Sequence, residues 1–391
     1  MNPKGQFAQS VFIGLLAAFV GFTSSFAVVL QGLRGVGASD AEAASGLLAA
    51  SIAMGVCGIV LSLKSKMPVS VAWSTPGAAL LASSLPTEGG FTDAIGAFLI
   101  CGLLIVICGI WRPFQNLVAA IPTALANALL AGILLSLCLA PFRAIAFDPL
   151  LGIPIFAAWV LGNQINRMLG VPAALLAFCL VVGFGVDVAP DWQSTLSASI
   201  VPSPVVMAPT FSPEAFLGIA LPLFIVTMAS QNIPGVAVLK ANDYEPDLGS
   251  ALRWTGGFTA IGSFLGAHAV NLAAITAAMI AGEEAGPDRE KRYVAAIVCG
   301  LGYVVFGLFA GLTTAFVSLA PSILIEAVAG LALFGAFTAS AVASFKQEET
   351  RMAAAVTFLA SASGMSLFGI SGAFWGLLAG GAMLALLKTR R

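Results

Sequence analysis

Apolar residues gather into runs of roughly 15 to 30 residues, against the about 20 that span a hydrocarbon core about 30 Å thick. The runs fall at 10–33, 43–63, 68–84, 91–111, 114–141, 149–164, 171–187, 213–239, 249–267, 269–282, 293–311, 313–345, 352–369 and 371–387, fourteen in all. Charge tests that number. With the N-terminus inside, only Arg34 and Arg143 of the 17 lysines and arginines lie outside, a split of 15 to 2, and dropping one crossing spoils it. The pattern predicts an all-α polytopic membrane protein.

The chain also repeats itself. Ile121-Pro122-Thr123-Ala124-Leu125-Ala126-Asn127-Ala128 is matched by Ala320-Pro321-Ser322-Ile323-Leu324-Ile325-Glu326-Ala327, and Gly77 to Ala82 by Thr276 to Ala281, both at an offset of 199. Cys101, Gly102 and Gly109 return as Cys299, Gly300 and Gly307, and Phe12, Gly14 and Thr23 as Phe216, Gly218 and Thr227. A unit of seven crossings is odd, so its second copy enters from the other face. This gives a 7+7 inverted repeat, residues 1–187 and 213–391, joined by an external Pro- and Ser-rich linker at 188–212. Secondary transporters recur on this plan, with the site at the midplane.

Composition narrows the class. The 391 residues are 59% hydrophobic and 9% charged, where soluble domains carry about 25% charge, which excludes a soluble enzyme. A net charge of -1 without a basic cluster argues against nucleic acid as a partner. The six cysteines sit in apolar runs without CxxC spacing and read as core residues, and one histidine cannot build a haem or multi-histidine metal site. No cofactor is expected. The first run continues past Leu30 without a cleavage pattern, so no signal peptide is expected.

Polar residues inside the apolar runs mark the candidate chemistry. In the third segment, Ser74-Thr75-Pro76 puts capping hydroxyls before a helix-starting proline, so a helix begins mid-membrane and runs from Thr75 to Ser84 after an extended stretch from Pro68 to Trp73. The tenth segment mirrors it, with Asn271 as N-cap of a helix from Leu272 to Gly282. Two half-helix tips then face one another, each with orphan N–H groups and about half a positive charge, which favours an anion. A kinked helix at Ser74-Thr75-Pro76 and an interhelical hydrogen bond at Asn271 are the plainer readings.

His268 titrates nearest neutrality, and it either contacts the anion, carries a proton, or bonds a neighbouring carbonyl. In the eighth segment Ser230, Gln231 and Asn232 precede Pro234-Gly235, so this helix is disturbed as well, opposite Thr23, Ser24, Ser25 and Phe26 of the first. Glu326, mirrored by Asn127, is an ionisable group at membrane depth and a second proton-coupling candidate. The charged run from Glu283 to Arg292 reads as a solvated loop.

Met67 to Ala78, Met228 to Gly235 and Gly266 to Ala277, the last holding the His268/Asn271 pair, resemble the benzoate:proton symporter family of bacterial inner membranes. The chain is also similar to the uracil permease and sulfate permease fold. That resemblance implies a core (10–111 and 213–311) and a gate (114–187 and 313–387), with strand-plus-half-helix units in the third and tenth segments. The resemblance to the symporter family implies proton-driven import of benzoate or a similar aromatic carboxylate, and the charge partition places both termini in the cytoplasm. Ser25, Phe26, Trp73, Ser74, Thr75, Gln231, Asn232, His268 and Asn271 are the expected substrate-binding residues, Phe26 and Trp73 for the ring. The acidic residues that uracil permeases carry in their eighth and tenth segments are replaced here by Gln231, His268 and Asn271, which suits an anion better than a neutral base. A nucleobase permease and an anion channel are the rival readings, and a homodimer remains open.

Overall fold

The computed structural model describes residues 3–186, 190, 192–368 and 370–389. The repeat boundary at 187/188 and two of the basic residues counted above, Arg390 and Arg391, lie outside the described residues. Helix dominates. Among the described residues, seven stretches are long and apolar enough to cross a membrane: Gln6–Gly35, Asp40–Ser65, Phe91–Ile110, Thr123–Phe147, Pro213–Ala241, Arg289–Leu308 and Ser322–Phe345.

Two strands interrupt the helices at the centre. β1 (Val71–Trp73) and β2 (Val270–Leu272) pair antiparallel, with Ala72 opposite Asn271. Each strand is followed by a short helix, Thr75–Ala82 and Ile275–Ala281. Strand and half-helix in the third and tenth segments are therefore present as expected. Both helices are shorter than the sequence suggests.

The helix before each strand supplies one hydroxyl that serves both backbone groups of a residue, two positions ahead of β1 in one case and the first of β2 in the other. Ser62 Oγ lies 3.2 Å from both the N–H and the carbonyl of Val69, and Thr259 Oγ1 lies 2.9 Å and 3.4 Å from those of Val270. Buried extended backbone must find such partners. Around this crossing, helix Asp40–Ser65 packs on Tyr293–Leu308, and Phe91–Ile110 on Leu248–Ser263. Both crossings are glycine on glycine: a Cβ on Gly55 would lie 2.5 Å from the carbonyl of Gly300, and one on Gly256 2.7 Å from that of Gly102.

A flanking group of helices, Thr123–Cys138, Ser322–Phe345, Glu348–Ala362 and Gly372–Thr389, packs together beside the crossing. The apolar runs 114–141 and 313–345, read as single segments, are each broken. Pro122 and Pro321 sit at the N-cap, so a new helix starts after each proline. Between Phe216 and Asn232 the eighth segment holds two π-helical turns, and the first segment breaks at Ser24 and Ser25 between Pro3–Thr23 and Phe26–Gly35. Between the last two apolar runs, Ser366–Leu367 pairs antiparallel with Ile370–Ser371.

Candidate functional site

Ser74 is where the elements of the crossing meet. Its Oγ accepts from the Gly77 N–H at 3.1 Å, capping the first half-helix, and from the Thr227 hydroxyl at 2.9 Å. Its N–H donates to the Ala269 carbonyl at 2.8 Å and, with the Asn271 amide in the orientation its neighbours require, faces Asn271 Oδ1 at 3.0 Å. Its own carbonyl accepts from the Ala78 N–H at 2.7 Å and lies 3.1 Å from His268 Nε2. One residue thus ties the third, eighth and tenth segments together.

The second half-helix starts differently from the expectation, and Asn271 does not cap it. Asn271 lies inside β2, because two neighbours keep the chain extended beyond it. The Leu272 N–H donates to Asn232 Oδ1 at 3.0 Å and the Ala273 N–H to the Ser70 carbonyl at 3.0 Å, so helix begins only at Ile275, with Ala274 at the cap position. Asn271 instead braces the crossing, donating to the Leu272 carbonyl at 2.9 Å. Asn232 is buried, with its Nδ2 3.4 Å from Met228 Sδ, and supports β2. Ser70 and Thr276 close the far side, their hydroxyls 2.6 Å apart.

The aromatic candidates form a closed wall. Trp73 donates through Nε1 to Ser25 Oγ at 2.8 Å, while Ser25 bonds back to the Gly21 carbonyl at 3.1 Å. The Phe22 ring centroid lies 5.7 Å from that of Phe26 and 5.5 Å from that of Trp73. Phe26 and Trp73 are both buried. His268 is 0% exposed, its Nδ1 lacks a partner and its ring meets the edge of Phe98. Its observed contact is a carbonyl, one of the roles read from the sequence.

Accessible groups lie around this braced centre. Thr75, the first residue of its half-helix, is half-buried, as are Gln231, Ser24 and Ala274. At the first half-helix the N–H groups of Ser74 and Gly77 are taken by the Ala269 carbonyl and Ser74 Oγ and Pro76 has none, which leaves that of Thr75 at the tip. Thr75 and Gln231 are therefore the sequence candidates best placed to meet a solute. Glu326 is half-buried on helix Ser322–Phe345 and belongs to no element of the crossing.

Two further polar anchors escaped the sequence reading. The run from Glu283 to Arg292 is not simply solvated: Arg292 is 6% exposed and donates to the Ala281 and Gly286 carbonyls, each at 2.7 Å, capping the C-terminus of the second half-helix. Gln6 and Ser10 hold the same loop through the carbonyls of Asp288 and Ala285. At the other end, the buried Asp93 carboxylate accepts from Thr87, Thr210 and Ser212 at 2.8, 2.6 and 2.9 Å, fastening the linker to helix Phe91–Ile110. An acid inside an apolar run, at Thr92-Asp93, was the available signal.

Known proteins share this arrangement. Residues 6–386 match the family described as benzoate membrane transport protein (BenE). The chain is 38% identical over 380 residues to the inner membrane protein YdcO of Escherichia coli (strain K12), covering 96% of this chain and 95% of that one. It is 33% identical over 370 residues to the benzoate membrane transport protein of Acinetobacter baylyi, covering 94% and 92%. Among solved structures, the transmembrane domain of the cyanobacterium bicarbonate transporter BicA aligns with a TM-score of 0.61 at 13% identity, covering 95% of this chain and 97% of that one. SLC26A9 aligns at 0.58 and 13%, covering 96% of this chain and 65% of that one, so the chain spans under two thirds of that protein. At such identities the likeness shows the fold alone, whereas the matched family and the A. baylyi relative are membrane transport proteins and not enzymes. The chain belongs to the benzoate membrane transport protein family.

Proposed function

We propose that this protein imports benzoate or a similar small aromatic carboxylate by proton symport, through alternating access across fourteen crossings in a 7+7 inverted repeat. The repeats are 1–187 and 213–391, both termini are cytoplasmic, the crossing group is the core and the flanking group the gate. The carrying observation is the antiparallel β1/β2 pair with a half-helix leaving each strand. At its centre backbone donors replace water, and a helix N-terminus offers an anion about 0.3–1 kcal/mol, up to about 2 where partly buried. The proline starts at Pro122 and Pro321, 199 residues apart, support the repeat. The A. baylyi relative supports the substrate.

Broken symmetry supports the motion. Pro76 and Ala79 of the first half-helix are buried, Ala79 at 0% exposure, and that half-helix packs on the gate helix Thr123–Cys138. Their mirror positions are Ile275, 77% exposed, and Ala278, also exposed. One half-helix is sealed by the gate and the other is open on the corresponding face. The open one runs toward the end that bears Arg289, Lys291 and Arg292, which supports an inward-facing state.

Uptake of radiolabelled benzoate into proteoliposomes under an imposed pH gradient is the test. Accumulation that collapses when the gradient is abolished is expected. Passive anion current linear in driving force would select a channel, and competition by uracil but not benzoate a nucleobase permease.

A further inference from the structure

Between helix Thr123–Cys138 and the eighth segment lies a cavity of about 80 Å³. On the same measure one water takes about 10–15 Å³, so a ring-sized solute has room. Its walls are apolar: Ile121 and Leu130 on the flanking side, Ile225, Val226, Ala229 and Ile233 on the eighth segment. Three polar residues line it: Thr123, at the start of its helix, is exposed, and the other two have turned their donors away. Asn127 Nδ2 donates to the Thr123 carbonyl at 2.7 Å and Ser230 Oγ to the Val226 carbonyl at 2.5 Å, each within its own helix. No lysine, arginine or histidine lines it among the described residues. These largely apolar walls suit a ring, and no cationic side chain is there to hold a carboxylate.

The cavity also sits beside the anion-favouring tip. Val226 lines it, and the next residue, Thr227, bonds the Ser74 cap of the first half-helix. That half-helix touches both walls, the eighth segment and helix Thr123–Cys138. A solute with its charge at Thr75 and its apolar body turned toward the gate would fill the space. The larger cavity of about 390 Å³ under linker residues 195–205 is a poorer host, because it carries the Asp40 carboxylate and no residue of the crossing.

We propose that this cavity is the subsite for the aromatic ring, so that the gate helix, through Leu130 and its neighbours, sets ring specificity. The inference rests on the aromatic-carboxylate reading above. Because the cavity lies between core and gate, the ring is gripped while they face one another and loses one wall when they part.

The experiment compares wild type, Ala229→Leu and Leu130→Ala in proteoliposomes, with benzoate and 4-methylbenzoate as substrates. Filling the cavity in Ala229→Leu raises KM for benzoate by about 10-fold or more. Enlarging it in Leu130→Ala shifts preference toward 4-methylbenzoate by a similar factor, since one methylene in an apolar pocket is worth about 10–200-fold. A third variant, Ala229→Cys in a Cys179→Ser background, reacts with a thiol reagent more slowly when benzoate is present. Unchanged selectivity in both size variants with no benzoate protection of the thiol overturns the assignment. Wild-type vesicles that take up no benzoate would instead overturn the transporter reading.

Discussion

Ser74 separates an architectural role from a ligand role, and Ser74→Ala tests which one it plays. The substitution removes the cap of the first half-helix, worth about 1 kcal/mol, and the acceptor of the Thr227 hydroxyl. Interhelical hydrogen bonds in membrane proteins average about 0.6 kcal/mol. The expected loss is therefore about 1.6 kcal/mol for Ser74→Ala and about 0.6 for Thr227→Val. The double variant has no further bond to lose and costs no more than Ser74→Ala alone, so the two couple by about 0.6 kcal/mol. Denaturation of the purified protein in detergent, followed by tryptophan fluorescence, reads all four corners of the cycle, since Trp73 adjoins the site. A Ser74→Ala protein of unchanged stability whose KM for benzoate rises tenfold would refute the reasoning and return Ser74 to the substrate.

Ile275→Cys reacts with a membrane-impermeant maleimide from the cytoplasmic face, whereas Ala79→Cys does not; equal labelling of both from that face would contradict the inward-facing state. His268→Gln and Glu326→Gln, assayed separately for uptake with and without a pH gradient, assign the coupled proton: the true carrier's variant loses gradient-driven accumulation but keeps benzoate exchange, and full coupling in both would remove these two candidates. Arg292→Gln gives up two charge-assisted bonds, each worth about 1.5–3 kcal/mol, and lowers the melting temperature more than Arg289→Gln; equal melting would show that the cap at Ala281 carries no load.

Local chemistry was readable in the sequence. The start at Ser74-Thr75-Pro76 lies within three residues, because an N-cap and a proline need no distant partner; Pro122 and Pro321 carry the same local signal, which the length of their apolar runs hid. Asn271 looks locally like an equally good cap. Its role was decided by partners far away in sequence, Asn232 and Ser70, which hold residues 272 and 273 extended. Arg292 shows the same limit: a charge among charges looks solvated until a half-helix ends beside it. Phe26 and Trp73 looked available for a ring because sequence reports that aromatics are present, not that Phe22 and Ser25 already occupy them. The accessible pair, Thr75 and Gln231, stands out only once the packed neighbours are known.

The β1/β2 pair also bears on how the chain is made. Ala72 leaves the ribosome 199 residues before its partner Asn271, a delay of about 10–40 s at about 5–20 residues per second. Throughout that interval the extended stretch has no cross-strand acceptor, and lipid offers none, at a cost of several kcal/mol for each bare backbone group. The nascent first half must therefore wait in a sheltered place, with the insertion machinery or at the water interface, and slides to the midplane only when the second half arrives. The two halves consequently complete their insertion as one event.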